Sequence, residues 1–104
     1  MTINMIDLRI LQKEVFCNKK IKGFNLDDID KEFCFTYGEL GEAYDAYRKK
    51  KNNVGEELAD VAIYLLGLSE MLGIDLEKEI EDKIIKNSER KYKKINGVNI
   101  KVEK

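Results

Sequence analysis

The sequence has no histidine, no proline and no tryptophan. Without histidine, the chain cannot use Ser-His-Asp or Cys-His catalysis, zinc sites with imidazole ligands, or di-iron bundles built on Glu-x-x-His. Without proline, and with only 7 glycines, it favours uninterrupted helices over a turn-rich β fold. These absences together indicate a helical protein whose chemistry does not depend on imidazole.

The sequence also has few cysteines, no long apolar run and no excess of basic charge. Cys17 and Cys34 lie far apart and form no CxxC motif, which indicates free thiols and a cytoplasmic location. Asp7 and Arg9 interrupt the N-terminal apolar stretch, which therefore does not resemble a signal peptide. No apolar run approaches the roughly 18 residues of a membrane span. The net charge is −1, so we expect neither a membrane nor duplex nucleic acid as partner.

The chain has 104 residues, and we expect a single domain over residues 1–104. Hydrophobic residues make up 43% of the chain, enough for a core, and charged residues 38%, as in long helices with solvated faces. A monomer of this size is marginally stable, which favours self-association. The spacing of apolar residues predicts an all-α antiparallel bundle of about four helices, with its core completed by oligomerisation.

The ends of these helices follow from capping residues and glycines. The predicted helices run from Asn4 to Ile21, from Asp27 to Lys50, from the N-cap Asn53 to Leu72 before Gly73, and from the N-cap Asp75 to about Ile95 before Gly97. In the second helix the main apolar stripe is Ile29, Phe33, Tyr37, Leu40, Tyr44 and Tyr47. The alternating tail, Val98, Ile100 and Val102, is compatible with either a short strand or a frayed end.

The third helix is apolar nearly all round, because Asp60 is the only charge between Leu58 and Leu68. Such a helix is expected at the centre of the fold or of an oligomer. One of its rows nevertheless begins with two acids, Glu57 and Asp60, before it continues through Tyr64.

The second helix carries a matching pair of acids, Glu39 and Glu42, beside its main stripe. An interval of three residues places both side chains on one helical face, and a short connection makes the two helices neighbours. Four carboxylates in one pocket repel strongly, so either some of them bind protons or a cation neutralises them. Carboxylates without histidine or thiolate suit Mg²⁺, with Mn²⁺ as the second choice. The alternative is that these acids form an ordinary solvated face.

The predicted fourth helix offers a complementary row of Lys83, Asn87, Arg90 and Lys94 at four-three-four spacing. Cations and an amide in one row suit phosphate oxygens. Cations near the end of a helix also favour its dipole and are usually solvated, so spacing alone leaves both interpretations open.

Together these residues resemble the MazG-like all-α nucleoside triphosphate pyrophosphohydrolases, a superfamily that includes dimeric dUTPases and dCTP pyrophosphatases. The signature ExxE, spacer, ExxD stands here as Glu39-Leu-Gly-Glu42, fourteen intervening residues and Glu57-Leu-Ala-Asp60. The strings GELGEA, EELADVAIYLLGL and LGIDLEKEI and the trailing Lys83, Asn87 and Arg90 also match. The resemblance covers about Phe33 to Tyr92, which is more than half of the chain.

The resemblance implies a Mg²⁺-dependent enzyme that cleaves a nucleoside triphosphate between its α and β phosphates, giving a nucleoside monophosphate and pyrophosphate. It also implies a homodimer or homotetramer, with a pocket that a neighbouring subunit helps to complete. The implied metal ligands are Glu39, Glu42, Glu57 and Asp60, and either Glu39 or Glu42 would activate the attacking water. The implied substrate contacts are Tyr64, Lys83, Asn87 and Arg90.

The sequence departs from the family pattern in few places. Ala59 replaces a common glycine, and Gly38 stands where relatives often have another acid. Some relatives place a tryptophan against the base; here Phe16, Phe24 or Phe35 could take that place. The rival functions are a non-catalytic dimeric helical binding or regulatory module and an enzyme acting on another pyrophosphate-containing metabolite.

Overall fold

A computed structural model describes residues 5–103 of the chain, and within them it contains four helices and one antiparallel pair of strands. The predicted all-α bundle is therefore confirmed, with a small β-hairpin added. None of these helices is long and apolar enough to cross a membrane. The elements are α1 (Leu8–Lys22), α2 (Ile29–Arg48), α3 (Val54–Met71), α4 (Leu76–Glu89), β1 (Lys91–Ile95) and β2 (Val98–Glu103).

Side-chain caps fix the starts of three helices. Asp7, Asp28 and Asp75 are the N-caps of α1, α2 and α4, and each carboxylate accepts hydrogen bonds from backbone N–H groups of the first turn. The cap predicted at Asp75 is thus confirmed. The first helix begins at Leu8 among the described residues, and its predicted start, Asn4, lies outside them. Gly73 follows α3 with a φ of +69°, as expected of a residue that ends a helix in the left-handed conformation.

The predicted extension of the fourth helix to Ile95 is wrong. The helix ends at Glu89, Arg90 is its extended C-cap, and the chain turns back on itself after Ile95. The turn residues Asn96 and Gly97 have φ values of +53° and +78°. Asn-Gly with two left-handed residues matches the type I′ turn that joins hairpin strands, and this local preference prevails over helix propagation.

The helix α3 is central, as predicted, because it packs against both α1 and α2. Its C-terminal half is buried from Leu66 to Ser69. Two side chains of α1 approach closely at Gly67, where an added Cβ would lie 3.3 Å from Cδ of Lys19 and 3.4 Å from Cγ1 of Val15. The glycine therefore makes room for the lysine stem between the two helices.

The main apolar stripe of α2 does not face the core of this chain. The side of α2 that is buried carries Glu32, Ala43 and Ala46, one helical position away from that stripe. The large side chains of the stripe are 44–73% exposed at five positions, namely Phe33, Tyr37, Leu40, Tyr44 and Tyr47. Small residues at 43 and 46 allow α2 and α3 to approach, while the bulky stripe stays exposed in the part of the chain that the structure describes.

The N-terminal half of α1 is tied to the junction of α3 and α4 by Gln12. The buried Gln12 amide donates to Glu70 (2.9 Å) and to the carbonyl of Ile74 (2.6 Å), and its oxygen accepts from the N–H of Leu76 (3.3 Å). The ion pairs of Arg9 with Asp75 and Glu77 add to this junction. Elsewhere the packing is loose, since the radius of gyration is 16.8 Å against about 13 Å for a compact chain of this length.

Candidate metal centre and adjoining pocket

Three of the four predicted metal ligands meet between α2 and α3. One carboxylate oxygen from each of Glu39, Glu42 and Glu57 lies within 4.8 Å of the other two. Glu39 and Glu57 are half-buried and Glu42 is exposed, so the cluster opens to solvent on one side. Asp60, one turn after Glu57, is half-buried and lies outside this group of oxygens. The structure therefore brings together three of the four acids that the spacing argument placed in one group, and Asp60 lies outside it.

The electrostatics of the cluster resemble those of a site that needs a cation. Burial, the adjacent carboxyl of Glu42 and the negative charges of Asp60 and Glu57 raise the pKa of Glu39 above its ordinary value. Among the described residues, no salt bridge joins any of these acids to a lysine or arginine. An all-oxygen, all-carboxylate set without a cationic neighbour fits Mg²⁺ or Mn²⁺.

Asn53 lies next to the cluster and plays a different part from the one predicted. It is the N-cap residue of α3, but its side chain makes no capping hydrogen bond. Instead its amide nitrogen donates to Oε1 of Glu57 at 3.3 Å, while its Oδ1 is buried without a hydrogen-bond partner. Asn53 therefore orients one of the acids and leaves a neutral oxygen unsatisfied beside the cluster.

Tyr64 lies between the acid cluster and a pocket of about 360 Å³, which is lined by residues of α1, α2, α3 and the loop after α1. Burial first, and then the negative charges of Glu39 and Glu32, raise the pKa of Tyr64, so its hydroxyl stays neutral. Glu39 belongs to the acid cluster, and Glu32 lines the pocket. Tyr64 thus stands at the boundary of both, which agrees with its position on the row that begins with Glu57 and Asp60.

The pocket has apolar walls and a charged floor. Phe24, Phe35 and Ile63 line it, together with Tyr64, so two of the three phenylalanines considered for contact with a base are here and Phe16 is not. Lys31 lies over the ring of Phe35, with Nζ 5.9 Å from the centroid. The lining therefore offers flat aromatic surfaces in a cavity large enough for a nucleoside-sized group.

The floor of the pocket is a buried ion pair that sequence reasoning missed. Glu32 is 1% exposed and Lys19 is 8% exposed, and Nζ of Lys19 donates to Oε2 of Glu32. Asn25 donates to the other oxygen of Glu32 at 3.0 Å. A buried pair of this kind costs desolvation energy and is weak support for a fold by itself. The only signal in the sequence was two charged residues on helical faces that also carry small or apolar neighbours, and such residues are usually solvated.

The predicted phosphate contacts on α4 lie apart from the acids. Lys83 and Asn87 are exposed on α4, and α4 packs against α1. Arg90 does not continue the helical row, because it is the C-cap of α4 and its backbone is extended. Its guanidinium donates a hydrogen bond to Oδ1 of Asn87 at 3.1 Å. Lys94 lies in β1. Among the described residues, no hydrogen bond or ion pair links Lys83, Asn87 or Arg90 to the acids.

The model of the MazG-like family matches residues 21–103, which is most of the chain. The chain belongs to the MazG-like family. The resemblance drawn from the acid motifs is thereby confirmed, and the matched segment includes both acid pairs of this MazG-like chain, α4 and the hairpin. Family membership gives it a nucleotide pyrophosphohydrolase-type fold. No curated protein and no solved structure matches the chain.

Proposed function

We propose that the chain is a Mg²⁺-dependent nucleotide pyrophosphohydrolase that cleaves ribo- or deoxynucleoside triphosphates between the α and β phosphates. The products are a nucleoside monophosphate and pyrophosphate. The observation that carries the proposal is the convergence of Glu39, Glu42 and Glu57 within 4.8 Å, next to an aromatic pocket. Membership of the MazG-like family supports the same reaction class.

In this proposal all four acids are metal ligands, and one of the two on α2 also acts on the attacking water. Glu39, Glu42, Glu57 and Asp60 hold Mg²⁺, or Mn²⁺ in its place. The bound metal supplies phosphate binding and offsets the charge that develops on the phosphate oxygens. Glu39 or Glu42 orients the attacking water and accepts its proton.

The pocket receives the nucleoside. Because Tyr64 borders both the acids and the pocket, a triphosphate at the acids leaves its sugar and base pointing toward Phe24 and Phe35. A base stacked against such rings gains about 1–3 kcal/mol, whichever base it is. The pocket therefore supports nucleotide binding in general more directly than it supports one base.

The remaining substrate contacts require a second copy of the chain. Lys83, Asn87 and Arg90 hold the departing pyrophosphate in this proposal, yet α4 packs on α1 of its own chain. The five exposed large residues of the α2 stripe provide an apolar surface of the kind that marks an interface. A homodimer or homotetramer would cover the stripe and allow α4 of one copy to approach the acids of another. A monomeric mass at micromolar concentration would contradict this assembly.

The test is release of pyrophosphate from a panel of ribo- and deoxynucleoside triphosphates, with and without Mg²⁺. Two adjacent glutamates of α3 give a matched pair, because Glu57 belongs to the cluster and Glu56 is exposed outside it. We expect Glu57→Gln and Glu42→Gln to lower the rate by more than the roughly 10–100-fold that loss of an outer partner costs a metal site. Glu56→Gln should keep the wild-type rate.

Two outcomes would overturn the proposal. Equal activity of the Glu56→Gln and Glu57→Gln variants would remove the acid cluster from the reaction. Silence of folded wild-type protein across the whole panel with Mg²⁺ present would favour the non-catalytic binding module, or a different pyrophosphate-containing substrate. Ranking the rates across the panel identifies the preferred base and sugar in the same experiment.

A further inference from the structure

The C-terminal hairpin has one apolar face. Across the hairpin Lys93 pairs with Ile100 and Ile95 pairs with Val98, and paired residues lie on the same side of a sheet. With Val102, which alternation places on that side, four β-branched residues form one row, and they are 44–58% exposed. The opposite face carries Tyr92, Lys94, Asn99 and Lys101. We call the side with Ile95, Val98, Ile100 and Val102 the apolar hairpin face.

Among residues 5–103 of its own chain, this face is left exposed. The helices pack on one another, and the strands β1 and β2 pack chiefly on each other. A two-stranded hairpin alone in water is marginally stable at best, and it becomes stable when its apolar face packs against something else. A row of four exposed β-branched residues is therefore a surface that requires a partner.

Charge indicates what kind of partner. Residues 91–104 contain five lysines and one glutamate, a formal charge of +4. Residues 1–90 therefore carry −5, because the whole chain has a net charge of −1. The helical part of the same chain is thus acidic and also bears an exposed apolar stripe on α2. Opposite charges on the two surfaces steer association and favour this pairing.

We propose that the hairpin is an assembly arm whose apolar face docks on the helical body of a second copy of this chain. Each copy carries both halves of the contact, a basic hairpin with one apolar face and an acidic body with an exposed apolar stripe. The arrangement also accounts for the radius of gyration of 16.8 Å, since an arm that reaches a neighbour leaves its own chain extended. The inference does not depend on the reaction proposed above.

Two neighbouring positions of β2 provide the test. Ile100→Asp places a charge on the apolar hairpin face, while Asn99→Asp places the same charge on the opposite face of the same strand. We expect Ile100→Asp to raise the dissociation constant of the assembly at least tenfold by sedimentation velocity, and Asn99→Asp to change it less than threefold. Unchanged helical circular dichroism shows that both variants are folded. Equal behaviour of the two variants, in either direction, would overturn the proposal.

A measurement on the wild-type chain gives an independent check. Amide hydrogen exchange of β1 and β2 is followed by mass spectrometry during dilution from assembled to dissociated protein. Docking on a second copy predicts that exchange in the hairpin becomes at least tenfold faster as the assembly dissociates. Exchange that is the same at every concentration would overturn the proposal and assign the face to a different partner, as would a chain that never associates.

Discussion

Replacing Glu39 with glutamine should make the metal-free protein more stable and at the same time less responsive to Mg²⁺. Glutamine keeps the shape of the side chain and removes one of the charges that converge between α2 and α3. In the wild type, burial and the surrounding carboxylates raise the pKa of Glu39, which means that its ionised form destabilises the folded state.

The size of the effect follows from the spacing of the oxygens. Two unit charges 4.8 Å apart repel by about 3.5 kcal/mol at an effective dielectric of 20, and by about 0.9 kcal/mol at that of water. Since the cluster is open to solvent on the side of Glu42, screening brings the net gain from removing one charge to about 1–2 kcal/mol. For a chain of this size that corresponds to a rise in Tm of roughly 5–10 °C.

The assay is thermal unfolding at fixed protein concentration, in chelator and in Mg²⁺, across a range of pH. In chelator the advantage of Glu39→Gln should be complete at pH 8. It should shrink as the pH falls through the raised pKa of Glu39, because the wild type then protonates this carboxylate itself. In Mg²⁺ the wild type should instead be more stable than Glu39→Gln, since metal at 100 times its Kd stabilises the wild type by about 2.7 kcal/mol.

The control is Asp45→Asn, which removes an exposed acid from α2 outside the cluster and should change stability by less than about 0.5 kcal/mol. The reasoning would be refuted if metal-free Glu39→Gln were no more stable than the wild type at pH 8 and Mg²⁺ stabilised both proteins equally. In that case the three carboxylates would not form a repelling, cation-binding group.

Two further predictions concern the pocket. Alanine usually stabilises a helix interior by about 1 kcal/mol relative to glycine, but Gly67→Ala should lose this gain because its Cβ would lie 3.3 Å from the side chain of Lys19. The control Gly38→Ala meets nothing within 4 Å and should keep the gain. Equal gains in the free energy of unfolding in urea would disprove the close contact at Gly67. Glu32→Gln should lower the free energy of unfolding by about 3 kcal/mol, because Lys19 is left as an unpaired buried charge. A loss below 1 kcal/mol would mean that the pair is solvated.

Local features of the fold could be predicted from the sequence where one residue type decides the backbone. Asp75 before α4 and Gly73 after α3 are such cases, and both are confirmed. The predicted extension of α4 to Ile95 is wrong, because helical spacing continues through Lys94 whereas the backbone follows the turn preference of Asn96-Gly97. The turn preference of that pair, flanked by alternating residues, was the signal that could have identified the hairpin.

The candidate site, too, could be predicted from the sequence only in part. The acid pairs could be placed together because each lies on one face of a helix and the helices are joined by a short connection. The pair of Lys19 with Glu32 could not be foreseen, because it depends on how α1 crosses α3 at Gly67. Periodicity predicts the apolar stripe of α2, but it does not reveal that the stripe is exposed and that the neighbouring row of the helix faces the core.

The location of the acids within a single helix pair has an evolutionary consequence. The segment from Glu39 to Asp60 is 22 residues long. Gln12 of α1, in contrast, contacts residues that are separated from it by 58 to 64 positions in the sequence. The acid cluster is thus encoded in one short helical hairpin, whereas α1 and the loop that follows it contribute Asn18, Lys19, Phe24 and Asn25 to the lining of the adjoining pocket. If the chain has the proposed function, substitutions in α1 would alter substrate selectivity while the acid pairs stay intact, so substrate preference could evolve separately from the acid cluster.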